Sequence, residues 1–490
     1  MDVLVRKEAL EEVKTPAIVL PLFKGKMPND KGLKAIDKAL DGALSGLLKE
    51  DVLDAGNYSA IYTNKKLPAK RVVIVGLGDK KKFKRDALRV VAGNLAKHMK
   101  AKKIQEFCVY LDFKKEQAYD FTEGLLLGDY SYDEFKTKKD EDKKKVLKSC
   151  SILVKNKQEE KKVKKNIGKA VVVADSVILA RDLINKPAMI ATPEYIAKQA
   201  QEISKLPHVS CKILDEKDLK KEKMNLHLGV SAGSPNPPRL VVLHYGKTKK
   251  KPIVFVGKGV TFDSGGTNLK PSGYIEDMKT DMGGAAVVLA TIKAAAELKL
   301  PVNIYGILAL TENIIGGKAI KPGDVIRSAS GKTVEIDNTD AEGRLILADA
   351  LNYSLRYKPA EIIDIATLTG ATIVALGKKV ASVMGDDAML KKLKKASRAT
   401  NEKIWRLPTF DEYKEDIKGS VADIKNVGNP KGEAGTIAAG MFLKEFVDDN
   451  KWVHVDIGGA VSSPGESGYH AKGTSGFGVR LFVEYLSKGK

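Results

Sequence analysis

Cysteine is scarce in this 490-residue chain: Cys108, Cys150 and Cys211, widely spaced and odd in number. That excludes a disulfide framework and a cysteine-built zinc site, and it suits reduced thiols in a cytoplasm. Histidine is nearly as sparse, and none of the six has the HExxH spacing of helical zinc peptidases. Long apolar runs are missing as well. The longest, Ile362 to Leu376, is broken by Asp364, Thr367, Thr369 and Gly370, short of the roughly 18 to 20 apolar residues that cross a bilayer. Met1 to Lys14 is charged and lacks the apolar stretch of a secretory signal. We therefore expect a cytoplasmic protein with no membrane segment.

Positive charge is plentiful. Against 62 acidic residues stand 84 basic ones, a formal balance of +22, which permits binding to nucleic acid or to anionic surfaces through electrostatics alone. The lysines nevertheless fall in short runs, Lys80 to Arg85, Lys143 to Lys145, Lys161 to Lys165 and Lys249 to Lys251. Asp and Glu are interleaved with them and aromatics are few. A solvated surface is the plainer reading, and DNA binding stays open as a secondary activity.

The length suits two or three domains. Up to about residue 150, strand-like runs (Ala17 to Leu22, Arg71 to Gly76, Phe107 to Leu111) alternate with a helical one at Lys84 to Met99, as in a small α/β domain. Gly76-Leu77-Gly78 lacks the third glycine of a dinucleotide fingerprint and reads as a strand-end turn. Between Tyr132 and Gln158 the composition turns to Lys, Asp and Glu around one apolar patch, Val146 to Val154. We expect edge strands and a linker there. Lys164 to Asn185 reads as one long helix stopping before Pro187. Strands are expected beyond it at Leu240 to Tyr245, Ile253 to Val256, Asn303 to Ala309, Ile362 to Ala366 and Val453 to Ile457, with helices between most of them, including Gly435 to Phe446. The expected architecture is a smaller amino-terminal α/β domain (1–160), a connecting helix (161–186) and a larger catalytic domain (187–490). In the larger domain, helices cover both faces of a mostly parallel sheet.

Two acidic stretches carry the chemistry. Asn338-Thr339-Asp340-Ala341-Glu342-Gly343-Arg344-Leu345 lies between a strand-like run, Lys332 to Asp337, and an apolar helical pattern, Leu345 to Leu355. Asp340 and Glu342, two apart in a turn, can project to one side, with Gly343 allowing a tight turn behind them. Helix capping alone would account for acids at this junction. Upstream, Gly257-Lys258-Gly259-Val260-Thr261-Phe262-Asp263-Ser264-Gly265-Gly266, then Lys270, then Asp281-Met282-Gly283-Gly284, follow the strand at Ile253 to Val256 and precede an Ala-, Val- and Leu-rich helix, Ala285 to Leu298. Lys258, Asp263 and Asp281 are thus expected in loops at the carboxyl end of a strand, where open α/β sheets bind ligands. Four converging carboxylates repel one another unless cations neutralise them or their pKa values rise. Two divalent metals would supply the charge.

These blocks resemble the signature blocks of the leucyl aminopeptidase family, the cytosolic, hexameric, two-metal aminopeptidases; the octapeptide around Asp340 is the most specific. Weaker similarity runs over the whole second domain. The resemblance implies that Asp263 and Glu342 bridge both metals, that Lys258 and Asp281 complete one site and that Asp340 completes the other. Lys258 would ligate as a neutral amine. Lys270 would stay cationic and polarise the scissile carbonyl, and Arg344 would hold bicarbonate as general base toward metal-bound water. Met278, Asn338, Thr367, Leu368 and Gly370 match positions lining the substrate cleft. Carboxylate ligation tolerates Zn²⁺, Mn²⁺ or Mg²⁺, and the resemblance favours Zn²⁺ or Mn²⁺. The implied activity is removal of amino-terminal residues, Leu, Met and other apolar side chains preferred, from peptides with a free α-amine, by a homohexamer in peptide turnover. A two-metal phosphoesterase is the alternative chemistry, for which Lys270 and Arg344 are the phosphate-binding candidates.

Overall fold

The computed structural model describes the chain apart from residues 26, 49–52, 111–115, 138–145, 464 and 488–490. It divides into two compact units, Met1–Ala174 with Gly465–Lys472, and Asp175–Pro464 with Gly473–Lys490. The first contains strands β1 (Asp2–Lys7), β2 (Ile18–Leu22), β3 (Tyr58–Tyr62), β4 (Arg71–Gly76), β5 (Glu106–Tyr110) and β6 (Ser149–Val154). They pair in the order β1-β6-β5-β2-β4-β3, all parallel except β3 against β4. Side chains alternate between two cores. Val19, Val73, Val109 and Ile152 meet helices α1 (Arg85–Ala101) and α2 (Gln117–Asp129), while Ile18, Leu20, Ile74 and Leu153 form a core on the opposite face. Burial on both faces is why these strands read as continuous apolar runs.

Two expectations for this unit need correction. The patch at Val146 to Val154 supplies β6, which lies inside the sheet between β1 and β5; the edges are β1 and β3. Five of the six β6 residues are buried and none of β1 is, so β6 suits the interior and the half-solvated β1 suits the rim. The long helix α3 (Lys157–Asn185) begins seven residues before Lys164. Its first turns are solvated, held by Asn156 accepting the Glu159 N–H at 2.9 Å and by a Glu160–Lys164 pair at 2.7 Å, and so show no apolar stripe. Gly76-Leu77-Gly78 is a strand-end turn after β4, with the Leu77 N–H donating to Leu22. Leu111 and the run Lys143 to Lys145 lie outside the described residues.

The second unit is built on eight strands: β7 (Val209–Leu214), β8 (Arg239–Gly246), β9 (Ile253–Asp263), β10 (Asn303–Asn313), β13 (Glu361–Ala366), β14 (Val380–Gly385), β15 (Lys403–Arg406) and β17 (Trp452–Asp456). Their order is β15-β14-β17-β13-β9-β10-β8-β7, with the central block β17-β13-β9-β10 parallel throughout. The strands β11 (Val325–Arg327), β12 (Thr333–Glu335) and β16 (Ile424–Lys425) form a small sheet beside it. Helices flank both faces. Val254, Val256, Ile307 and Ala309 pack with helix α5 (Gly343–Ser354) in one core, while α4 (Gly283–Glu297) covers the other side, where Phe255 meets Phe482 at 5.0 Å. The fold is therefore the expected two-domain α/β arrangement. No described helix is long and apolar enough to cross a membrane.

One difference bears on the site. The strand expected at Ile253 to Val256 continues as β9 through Asp263, so Lys258 is a strand residue and Asp263 closes the strand. Gly257 interrupts the apolar pattern because the start of α4 lies directly against it: a Cβ there would fall 2.6 Å from the Gly284 carbonyl oxygen. Asp281 lies in a single 3-10 turn, Met278–Met282, leading into α4.

Candidate active site

Lys258, Asp263, Asp281 and Glu342 come together at the carboxyl end of the parallel block, each no more than 6% exposed. Asp340 joins them: ligand oxygens of Asp263, Asp340 and Glu342 all lie within 4.8 Å of one another. The alternation of β9 turns Lys258 toward α5, where its ammonium lies 2.6 Å from Asp281 Oδ2 and 2.8 Å from Glu342 Oε1 and donates to the Thr367 carbonyl at 2.9 Å. Room for that side chain comes from Gly343, whose backbone is not left-handed. A Cβ at Gly343 would meet Lys258 Cε at 2.3 Å, so the glycine serves close approach and not the tight turn expected. Lys270 is shared between Asp263, at 2.8 Å, and Asp340.

The charges are strongly coupled. Burial works against the Lys258 ammonium, but Asp281, Glu342 and Asp263 hold it well above the usual lysine range. The same contest leaves Lys270 raised. Burial, reinforced by Glu342, pushes Asp263 up to about 7 and raises Asp340. Burial also lifts Asp281 well above the carboxylate range against the pull of Lys258. Glu342 alone goes down, because Lys258 and Lys270 together outweigh its burial. Asp281 Oδ2, Asp340 Oδ1 and Glu342 Oε1 face ammonium groups without a directed hydrogen bond. Buried acceptors of this kind, four carboxylates against two ammoniums, are a donor set that fits hard divalent cations.

Supporting groups hold the carboxylates in place. Asn313, at the end of β10, donates to Asp263 Oδ1 at 2.8 Å and to the Thr339 carbonyl at 3.0 Å. The Thr339 hydroxyl donates to the Gly265 carbonyl at 2.7 Å and accepts the Asn268 N–H at 2.9 Å, knitting the two acidic stretches together. Asn426, fully buried, accepts the Asp337 N–H at 2.8 Å, donates to the Asn338 carbonyl at 2.7 Å and offers its own carbonyl to Arg344. Sequence reasoning missed Asn313, Asn426 and Asp456. A polar residue closing an apolar strand was an available signal for Asn313 and Asp456, whereas Asn426, after a two-residue strand, offered none.

Of the residues matched to a substrate cleft, Thr367 is in the cluster itself, its hydroxyl donating to Asp281 Oδ1 at 2.8 Å. Asn338 accepts the Asp340 N–H at 2.8 Å. Met278 is half-buried in the turn carrying Asp281, and Gly370 is exposed at the start of helix α6 (Gly370–Leu376). The Leu368 side chain packs partly into the α5 core, and its N–H donates to Asp456 at 3.1 Å. Arg344 is buried, with Nε lacking a hydrogen-bond partner, and burial lowers its pKa to about 10.

Comparison with known proteins matches residues 178–483 to the catalytic domain of the cytosol aminopeptidase family and residues 19–139 to that family's N-terminal domain. A probable cytosol aminopeptidase of a Geobacter species is 42% identical over 97% of both chains, and one of Geobacter sulfurreducens 43% over 93% of both. Among solved structures, a tomato leucine aminopeptidase mutant superposes with a TM-score of 0.87 at 32% identity, covering 100% of this chain and 97% of that one. The bottromycin maturation enzyme BotP in complex with Mn gives 0.85 at 30% identity, covering 96% and 99%. A full-length likeness of this kind, together with the carboxylate cluster at the head of the parallel strands, makes the chain a member of the cytosol aminopeptidase family, an aminopeptidase and hence a hydrolase.

Proposed function

We propose that the enzyme removes amino-terminal residues, Leu, Met and other apolar ones in preference, from peptides with a free α-amine, using two divalent cations held by Lys258, Asp263, Asp281, Asp340 and Glu342. The observation that carries this reading is the 4.8 Å cluster of Asp263, Asp340 and Glu342 backed by Lys258 and Asp281. The Mn in the BotP structure supports Mn²⁺, with Zn²⁺ the other candidate. Two such ions lower the pKa of a shared water and polarise a carbonyl.

The protein groups then have distinct tasks. Asp263 and Glu342 would be shared by the two ions, Lys258 and Asp281 would complete one ligand set and Asp340 the other. Lys270, kept cationic by its carboxylate neighbours, is suited to meet the developing oxyanion of the scissile carbonyl. Arg344, with an unpartnered buried Nε, is suited to hold a bicarbonate ion as general base. Met278, Asn338, Thr367, Leu368 and Gly370 line the cleft for the first residue; Met278 accommodates apolar side chains with modest discrimination. We assign catalysis to residues 187–490 and read the enzyme as a cytoplasmic homohexamer. The described lysine runs at 80–85, 161–165 and 249–251 are largely exposed, as a solvated surface requires, and would also be accessible to DNA as a secondary activity.

The decisive experiment compares hydrolysis of leucine p-nitroanilide with its N-acetylated form, before and after chelation and after Mn²⁺ or Zn²⁺ is restored. Only the free-amine substrate should be cleaved, with activity lost on chelation and regained with metal. Cleavage of neither substrate under any metal would rule out the two-cation peptidase mechanism. Arg344→Ala should lower kcat by about 10² to 10⁴-fold, the usual range for a positioned general base, while metal content measured by atomic emission stays near wild type. Loss of metal in that variant would show Arg344 to be structural.

A further inference from the structure

Lys258 has one partner that is not a carboxylate. Its ammonium donates to the Thr367 carbonyl at 2.9 Å, and the N–H on the other side of that same peptide unit, Leu368 N–H, donates to Asp456 Oδ1 at 3.1 Å. A peptide unit is planar and stiff, so fixing its N–H fixes the direction of its carbonyl. Asp456 is fully buried and is not one of the clustered carboxylates. It closes β17 beside β13, and it also accepts the Thr369 hydroxyl at 2.7 Å and the Gly458 N–H at 2.9 Å. The Thr369 hydroxyl in turn caps α6 through the Thr372 N–H at 3.2 Å and touches the Thr436 hydroxyl at 2.8 Å.

Asp456 is itself set in a buried polar array. The register pairs Asp364 with His454 and Ala366 with Asp456, so Asp364, His454 and Asp456 share one face of the sheet. Asp364 accepts the Trp452 indole N–H at 2.6 Å and the His454 Nδ1–H at 2.5 Å. Among the described residues, the hydrogen bonds that join Asp456 to Lys258 run through the Thr367–Leu368 peptide unit. Asp456 is therefore linked to the amine by way of that peptide.

We propose that Asp456 is a positioning residue for the metal-binding amine of Lys258: it holds the Thr367–Leu368 peptide, and the Thr367 carbonyl sets the direction of Nζ. The inference rests on the two-cation reading above. Groups that orient a metal ligand typically change metal affinity by about 10 to 100-fold when removed.

The test is calorimetric titration of the metal-stripped full-length protein with Mn²⁺. The wild type should take up two ions per chain in two steps. Asp456→Asn, nearly isosteric but uncharged, should weaken one step by about 10 to 100-fold and leave the other unchanged, with the apo melting temperature near wild type. Thr436→Val, which removes a hydroxyl that meets Thr369 from the helix Gly435–Lys444 but leaves the Thr367–Leu368 peptide tethered, should change neither step. If Asp456→Asn does not fold, Thr369→Val carries the test, weakening the same step, with Thr369→Ser restoring it. Wild-type uptake in folded Asp456→Asn, or equal weakening in Thr436→Val, overturns the proposal. Uptake of fewer than two ions by the wild type overturns the two-cation reading beneath it, a result distinct from either.

Discussion

Glu342→Ala is expected to abolish turnover, lowering kcat/KM on leucine p-nitroanilide by at least about 10³-fold, a loss of about 4 kcal/mol in transition-state stabilisation. Glu342 is 1% exposed, and it is the one clustered carboxylate whose pKa falls below its ordinary value despite burial. It is therefore the member of the cluster most firmly held as an anion, which a bridging ligand must be. Its loss leaves Lys258 with Asp281 as its remaining close ion pair and removes a neighbour whose charge raises Asp263. Metal content measured alongside should fall. Glu342→Gln separates charge from shape: it should lose activity to a similar degree while melting close to wild type. A Glu342→Ala protein with both metals bound and a normal rate would refute the assignment.

Gly284→Ala should be the most damaging single-methyl change near the site. A Cβ there would lie 2.1 Å from the Ile365 carbonyl oxygen and 2.8 Å from the Lys258 nitrogen, both backbone atoms of central strands. Neither can swing aside as a side chain would, so α4 must lift off β9 and β13. Overpacking of this kind costs about 3 kcal/mol, which for a unit of this size lowers Tm by roughly 5 °C. Thermal melting followed by circular dichroism checks this. Gly168→Ala in α3 is the control: nothing lies within 4 Å of the added methyl, and helix propensity makes the change neutral or stabilising. Equal Tm values for the two variants would show that α4 is not held in contact as described.

The residues to which we assign the chemistry were easier to read in the sequence than the residues that hold them. Lys258, Asp263, Asp281, Asp340 and Glu342 stood out because charged residues close to glycines, at the junctions of apolar segments, are costly unless something uses them. Their supports look ordinary by contrast. Asn313 and Asp456 end apolar strands, and Asn426 lies in loop-like sequence; what each one does is visible only when strands distant in sequence lie side by side. The extent of β9 was hidden for the opposite reason. Gly257 and Gly259 read as the start of a loop, yet they are strand residues stripped of side chains because α4 and β10 press against them. In the first unit, β1 and β3 escaped notice because half-solvated edge strands lack the apolar runs that marked β2, β4 and β5.

The length of β9 has a consequence for how the enzyme fails. Its residues Gly257 to Val260 are buried and pair along β10 and, at Gly257, with β13. Amide protons there exchange with solvent only when the unit opens as a whole, whereas those of exposed loop residues such as Ser272 to Tyr274 exchange through small local fluctuations. The amine that faces the clustered acids is thus carried on a segment expected to exchange slowly. On heating, its alignment should persist until cooperative unfolding, with no earlier stage in which the strand frays and the rest of the domain stays folded.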